Sequence, residues 1–364
     1  MLKLCGISLE ESIMPENINH LIEKRLDILP EYVREFIEYR GRKNSENTLL
    51  TYCMDYEGFF GWLVSEGTCH GEMKDVALKQ LEVLKTHDIV RYENFLHRFK
   101  GNSKDTVARK LNALKSLFHY LSQIAEDDDF YPYIKRNVMA KIEVLREKRS
   151  ETEISEQIAN RILVDEEIPD FREFIAHNYG QTIKDNKRNF NAYLHNRERD
   201  LAIISLILGS GLRVSEIVQI DVDKIDWNKQ YVIVKRKGDK LDKVVFSDTA
   251  LLDLYEYKKI REERYKPESN EKAFFLSSTT KTGKANRFSK SSAQKMVNKY
   301  AAAFGKGDLS IHKLRHTFAT QHYKNNNDIA SLKRQLGHSN INTTMIYTHV
   351  FDNTLIKAVN KADK

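Results

Sequence analysis

The sequence predicts a mainly α-helical protein with a small β-sheet, divided into an N-terminal helical domain and a C-terminal mixed domain. Three observations carry this expectation. Apolar residues recur three and four apart over residues 29–123, the pattern of helices that each bury one face. Two β-branched runs, 231–234 and 244–246, flank Lys237-Gly238-Asp239-Lys240 and read as one hairpin with a basic tip. A chain of 364 residues is also too long for one small core.

In the first domain a helix starts at Ser45 and buries Leu49, Tyr52, Tyr56, Phe59 and Leu63. A second starts at Ser103 and buries Val107, Leu111, Leu114, Phe118 and Leu121, leaving Arg109, Lys110 and Lys115 on other faces. The two starts echo each other. Asn44-Ser45-Glu46-Asn47-Thr48 and Asn102-Ser103-Lys104-Asp105-Thr106 both place a serine where its oxygen accepts an orphan backbone N–H. Helix N-termini with nearby hydroxyls also hold phosphates, so Ser45, Thr48, Ser103 and Thr106 carry two readings, capping alone or capping plus phosphate contact.

Residues 125–196 are charge-dense and irregular, with Glu126-Asp127-Asp128-Asp129 and a second charged run at 146–151, and read as a solvated linker. The expected divisions are an N-terminal extension over 1–28, a helical domain over 29–149, a linker and insertion over 150–197 in which 170–196 is the insertion or lid, and a second domain over 198–364. In that domain an apolar helix containing Leu201, Ile204 and Leu206 runs to the Gly209-Ser210-Gly211 break, and a short helix continues through Ile217. Helices follow the hairpin at 289–304, 311–323 and 328–336, the last closed by Gly337.

Composition narrows the function classes. Hydrophobic content of 41% with 30% charged residues describes a folded globular protein, and a net charge of +7 favours a polyanionic partner. Cys5, Cys53 and Cys69 form no C-x-x-C pair and leave one over in any disulfide scheme, which fits reduced thiols, and Cys69-His70 reads as a surface loop. The longest apolar stretch, 201–208, is far short of a membrane span. Glu10, Glu11 and Glu16 break any signal layout at the N-terminus, so a cytoplasmic location is expected. His312 and His316 stand at metal spacing, but Lys313 occupies the place where H-E-x-x-H needs glutamate, so no metal site is expected. His316, His322 and His349 read as packing residues. No G-x-x-x-x-G-K-[ST] loop is present, and no cofactor is expected.

The chemistry concentrates near the C-terminus. His312 and Arg315 are one helical turn apart, His338 follows Gly337, and Tyr347 lies nine residues after that. Arg213 stands at the turn after Gly211, well upstream. Arginine forks grip the non-bridging oxygens of a phosphate, and a phenolic oxygen can attack its phosphorus to make a covalent intermediate. Singly, each residue has an ordinary reading: Tyr347 as a half-buried packing residue, Arg213 as a cap or salt-bridge partner.

Together, Gly211-Leu212-Arg213-Val214-Ser215-Glu216, His312-Lys313-Leu314-Arg315-His316-Thr317-Phe318-Ala319-Thr320, Leu336-Gly337-His338-Ser339 and Thr343-Thr344-Met345-Ile346-Tyr347-Thr348-His349 resemble, in order, the boxes of the tyrosine recombinase (phage integrase) family. The helices from Ser45 and Ser103 resemble those of the family's SAM-like core-binding domain. The compact N-terminus and Leu29-Pro30-Glu31-Tyr32-Val33 are most similar to the single-recombinase Xer subgroup.

The resemblance implies that Arg213 and Arg315 clamp a scissile DNA phosphate and Tyr347 attacks it, leaving a 3′-phosphotyrosyl link. Lys237 would protonate the departing 5′-oxygen, His312 would assist proton transfer, His338 would donate to a phosphate oxygen, and Glu216 would orient a neighbour. Lys235, Lys240 and Lys243 compete with Lys237 for the acid role, and Lys240 joins Ser45, Thr48, Ser103, Thr106, Arg109, Lys110 and Lys115 as an expected DNA contact. Implied partners are a double-stranded recombination site, three further copies of the chain on two duplexes, and a division-associated DNA translocase. Residues 353–364, with Leu355, Ile356 and Val359 as an apolar stripe, would pass to a neighbouring subunit or pack on their own domain. The expected task is Xer-type chromosome-dimer resolution. Mobile-element integration or excision, strand swivelling of the type IB topoisomerase kind, and inert DNA binding are the alternatives.

Overall fold

The computed structural model describes residues 18–145, 153, 158, 161–236, 240–277, 285–337 and 342–345. The chain divides into two compact units, Met1–Lys148 and Arg149–Lys364.

Among the described residues, six α-helices make the first unit: α1 (Ile18–Leu26), α2 (Glu31–Gly41), α3 (Glu46–Ser65), α4 (Leu78–Glu82), α5 (Thr86–Arg98) and α6 (Lys104–Gln123). The heptad-like spacing in α6 buries Val107, Leu111, Leu114, Leu117, Phe118 and Leu121, and α3 answers with Tyr56, Phe59, Phe60 and Leu63. Aromatic edges lock the interface: Phe36 meets Tyr56 at 5.8 Å and Tyr120 at 5.3 Å between ring centroids. The buried Tyr56 phenol finds an acceptor, donating to the Ala113 carbonyl at 3.0 Å. Ser103 accepts the Thr106 N–H at 3.3 Å as a cap, whereas the Ser45 hydroxyl pairs with the Thr48 hydroxyl at 3.0 Å instead.

Two expectations change here. Residues 18–26 belong to the helical unit rather than to an extension, because Ile22 and Leu26 sit in its apolar core. Cys69 is buried rather than in a surface loop, as is Cys53, whose thiol burial pushes up to about 11.

The second unit is built on the helix Lys187–Ser210, against which Asp248–Tyr265 and Ile311–Asn326 pack. Its sheet is antiparallel with order β1 (Ile225–Asp226), β2 (Tyr231–Lys235), β3 (Leu241–Val245), and Val232 pairs with both Ile225 and Val244. Val232, Val234 and Val244 face the core, so β-branched residues at every second position set the register. Arg236 N–H bonds the Lys240 carbonyl at 2.8 Å, extending the hairpin by one pair. β3 starts earlier than expected, at Leu241, and the two-residue β1 and the helix Asp248–Tyr265 lie outside the expectations above.

From residue 161 on, the stretch expected as linker and insertion is instead part of this core. Glu167–Glu173, a π-helical turn Phe174–Asn178 and Tyr179–Thr182 follow one another, and Phe171, Ile175, Tyr179 and Tyr193 join the same apolar cluster as Ile203 and Ile207. Phe171 meets Phe304 at 5.1 Å and Tyr179 meets Tyr300 at 4.7 Å between centroids. Leu163 N–H bonds the Thr317 hydroxyl at 3.1 Å, so the unit begins well before residue 198.

Candidate active site

Gly211 ends the helix Lys187–Ser210 in the left-handed conformation, φ +68°, with its N–H on the Ile207 carbonyl. A Cβ there would overlap the Phe318 ring and reach 2.8 Å from Leu336 Cδ2, so glycine alone lets three elements meet at this point. The chain then passes buried Leu212 and starts the helix Val214–Ile217 with Arg213 extended at its N-cap.

Glu216 holds that arginine twice. Its Oε2 accepts the Arg213 backbone N–H at 2.8 Å and its Oε1 accepts Arg213 Nη1 at 2.8 Å. Glu216 is 5% exposed, whereas the Arg213 side chain is 39% exposed, so the pair has a buried anion and an outward-facing cation.

Arg315 approaches the same carboxylate from the helix Ile311–Asn326, its Nη1 lying 4.0 Å from Glu216 Oε2. Only 3% exposed, it donates from Nη1 to the Gly211 carbonyl at 2.6 Å and from Nη2 to the Leu336 carbonyl at 2.8 Å. A buried guanidinium needs such partners, and here they tie together the ends of two helices. His312, one turn before Arg315, is exposed on its outer side and packs against His316 with ring centroids 4.6 Å apart. Desolvation on its packed side, then the Arg315 and Arg213 charges, hold its imidazole below the ordinary value. Held neutral beside two guanidiniums, this imidazole is in the form that can accept a proton.

The helix Ile329–Leu336 begins with Asp328, which caps the Ala330 and Ser331 N–H groups at 2.9 Å each, and ends at Gly337 with φ +62°. The last turn is gripped from several sides. Arg315 takes the Leu336 carbonyl, Arg236 Nη2 takes the Gln335 carbonyl at 2.8 Å, and the Gln335 amide donates to the Ser210 and Val245 carbonyls.

Arg213, Glu216, His312 and Arg315 are therefore brought together, while Lys237, His338 and Tyr347 lie outside the described residues, as does the segment 353–364. Lys240 is exposed. Among the described residues no group of three His, Cys, Asp or Glu side chains could hold a metal, and no helix is long and apolar enough to cross a membrane.

In the first unit, Thr48 and Arg109 line an open groove of about 700 Å³ between α3 and α6, with Thr51, Asn112 and Ser116. Ser45 and Ser103 are exposed, Thr106 and Lys115 half-buried, and none of the four lines it. Sequence reasoning passed over the residue that organises this face. Asp55, 2% exposed, takes Arg109 through both η nitrogens and Lys110 Nζ at 2.9 Å. The signal was present: Asp55 falls three residues after Tyr52 and four before Phe59, on the apolar stripe where an unpaired carboxylate cannot stay.

Comparison with known proteins places these features in a context. The model of the phage integrase family matches residues 182–354, and that of the phage integrase N-terminal SAM-like domain matches residues 31–123. Tyrosine recombinase XerS of Lactococcus lactis subsp. cremoris is 36% identical over 350 residues, covering 93% of this chain and 96% of that protein. The XerS protein of Streptococcus mutans is 34% identical over 353 residues, covering 93% and 97%. The crystal structure of XerH site-specific recombinase bound to palindromic difH substrate, a post-cleavage complex, superposes with a TM-score of 0.64 at 19% identity, over 95% of each chain, a likeness of fold.

Proposed function

The chain belongs to the phage integrase family and is a site-specific tyrosine recombinase of Xer type, and from that premise we propose that Arg213, Lys237, His312, Arg315, His338 and Tyr347 form its phosphoryl-transfer site and that its task is chromosome-dimer resolution. The substrate is a double-stranded recombination site. Arg213 and Arg315 bind the non-bridging oxygens of one backbone phosphate and stabilise the charge of the pentacoordinate transition state. Tyr347 Oη bonds to phosphorus as the P–O5′ bond breaks. The phenol's proton leaves with the help of His312, and the Lys237 ammonium supplies the proton that the 5′-oxygen takes up. His338 donates to a phosphate oxygen.

Phosphodiester is exchanged for phosphotyrosyl ester, so no nucleotide is consumed, and the protein cations perform the charge neutralisation. Rejoining runs the same steps backwards. Recombination then needs four copies on two duplexes, with residues 353–364 as the exchanged segment, and a division-associated DNA translocase and the cytoplasm follow from the task. Ser45, Thr48, Ser103, Thr106, Arg109, Lys110, Lys115 and Lys240 are proposed as the DNA contacts of the two units.

One observation carries the site: a single buried carboxylate, Glu216, lies against both Arg213 and Arg315, which aims two guanidiniums from distant segments at one place. The test is a nicked suicide duplex built on the sequence that the full-length protein selects from a random pool. Wild type accumulates a covalent protein–DNA band, and Tyr347→Phe binds the duplex without forming it. A persisting adduct places the nucleophile elsewhere.

A further inference from the structure

Arg236 is absent from the roles assigned above, yet its surroundings are unusual. The side chain is 9% exposed at the end of β2, where its backbone N–H closes the last described pair of the hairpin on Lys240. It leaves its own sheet to reach the helix Ile329–Leu336, where Nη2 donates to the Gln335 carbonyl at 2.8 Å. Its Nε stands 2.7 Å from Asp242 Oδ2, near enough for an ion pair but not aligned as a hydrogen bond. Among the described residues, the buried Nη1 has no hydrogen-bond partner.

A fold seldom keeps a buried charged donor unsatisfied, and when it does the geometry gained needs an explanation. Gly337 supplies a second, independent sign. A Cβ on that residue would fall inside the Arg236 guanidinium, so the glycine serves both the left-handed helix end and the space for this arginine. The Gln335 amide repeats the connection on the next strand by donating to the Val245 carbonyl at 2.6 Å. Hairpin and helix end are thus joined by two cross-links, one from each partner.

Both joined elements lead into a proposed reacting group, the bonded Gln335 lying three residues before His338. Lys237 follows Arg236 and His338 follows Gly337, and consecutive Cα atoms are about 3.8 Å apart. We propose that Arg236 is a positioning residue that fixes the hairpin carrying Lys237 to the helix end carrying His338, so that the proton donor for the 5′-oxygen is held in register with the phosphate-binding groups. Arg236 itself touches no reacting atom. The inference rests on the reading of Lys237 as general acid.

The experiment separates acid delivery from general damage. Full-length wild type, Arg236→Ala, Arg236→Lys, Lys237→Ala and Arg213→Ala are compared in single-turnover cleavage of the suicide duplex described above. Two forms are used, one with the ordinary 5′-oxygen at the scissile bond and one with a bridging 5′-sulfur, whose thiolate departs without a proton. Arg236→Ala should lose roughly ten- to a hundredfold on the oxygen substrate, up to the low end of the roughly hundred- to ten-thousandfold that a positioned proton donor contributes, because the donor is displaced rather than removed. It should recover on the sulfur substrate to within about threefold of wild type, as Lys237→Ala does, whereas Arg213→Ala does not. Arg236→Lys keeps the charge but cannot reach two sites with one planar fork, so it should fall between Arg236→Ala and wild type.

Wild-type cleavage of the oxygen substrate by Arg236→Ala overturns the inference. So does an Arg236→Ala defect that sulfur leaves unchanged while Lys237→Ala is rescued. If Lys237→Ala itself is not rescued, the general-acid assignment beneath it fails as well, and the two failures are told apart by that one control.

Discussion

Replacing Glu216 with glutamine tests the arginine pair with almost no change of shape. The carboxylate accepts from Arg213 twice and lies 4.0 Å from Arg315 Nη1. A glutamine amide turns one of the two oxygens into a donor, so either the Arg213 N–H or its guanidinium faces another N–H. The lost charge-assisted hydrogen bond is worth about 1.5–3 kcal/mol, reduced here because the Arg213 side chain is 39% exposed. The attraction to Arg315 at that separation is roughly 4 kcal/mol at an effective dielectric of 20, an upper bound because two carbonyls already hold that guanidinium. A net loss of about 2–4 kcal/mol in the second unit is expected. The chain has two tryptophans, Trp62 in the first unit and Trp227 in the second, so a Trp62→Phe background leaves Trp227 to report the second unit during urea unfolding. In the same background Glu216→Gln should slow single-turnover cleavage by about tenfold or more while DNA affinity changes little, because the arginine is loosened rather than removed. An unchanged unfolding midpoint together with wild-type cleavage would refute the carboxylate's role as organiser of the two guanidiniums.

Three other perturbations probe different parts of the argument. Gly211→Ala must place a side chain at φ +68° and against Phe318 and Leu336, so thermal unfolding should show a loss of at least about 2 kcal/mol and cleavage should collapse. Phe171→Ala removes a fully buried ring from the second unit and should cost about 3–5 kcal/mol by the Trp227 signal, whereas a surface insertion would tolerate it. His312, whose pKa is lowered, stays neutral as pH falls through the ordinary value of 6.5 and protonates only below it, and any stability linked to it is present above that range and lost on further acidification. Selective NMR titration should put its midpoint below 6.5 in wild type and higher in Arg213→Ala, and a midpoint at or above 6.5 in wild type contradicts the electrostatic account.

What was legible in the sequence was local. The helix starts at Ser45 and Ser103, the end at Gly337 and the hairpin around 237–240 follow from rules that act within a few residues, and the structure places helix and strand ends within a few positions of them. Arg213 and Glu216 are three apart, and a carboxylate at that distance from an N-cap residue reaches back to its N–H. Residues 161–197 were misread because Phe171, Ile175, Tyr179 and Tyr193 are spread thinly among charges, and a π-helical turn at Phe174–Asn178 breaks the ordinary period between them. The helix Asp248–Tyr265 hides similarly, since the buried Arg261 interrupts its apolar face and is held by the distant Phe274 and Ala273 carbonyls together with the adjacent Glu262 carboxylate. β1, two residues long, has no period to detect.

The partners of Asp55 and Arg236 are likewise long-range, yet they reveal a shared design. In the first unit a buried aspartate holds Arg109 and Lys110, and in the second a buried glutamate holds Arg213 and lies against Arg315. Long cationic side chains left free in water lose rotamer freedom when they meet a polyanion, which subtracts from affinity and from transition-state stabilisation alike. A carboxylate beneath each pair makes that ordering part of folding instead. It also lowers the net charge at each face, so the gain lies in direction rather than in attraction. Asp55→Asn should then weaken DNA binding although it removes a negative charge, a sign opposite to simple electrostatics, and tighter binding by that variant in a salt titration would show that attraction, not orientation, governs the face.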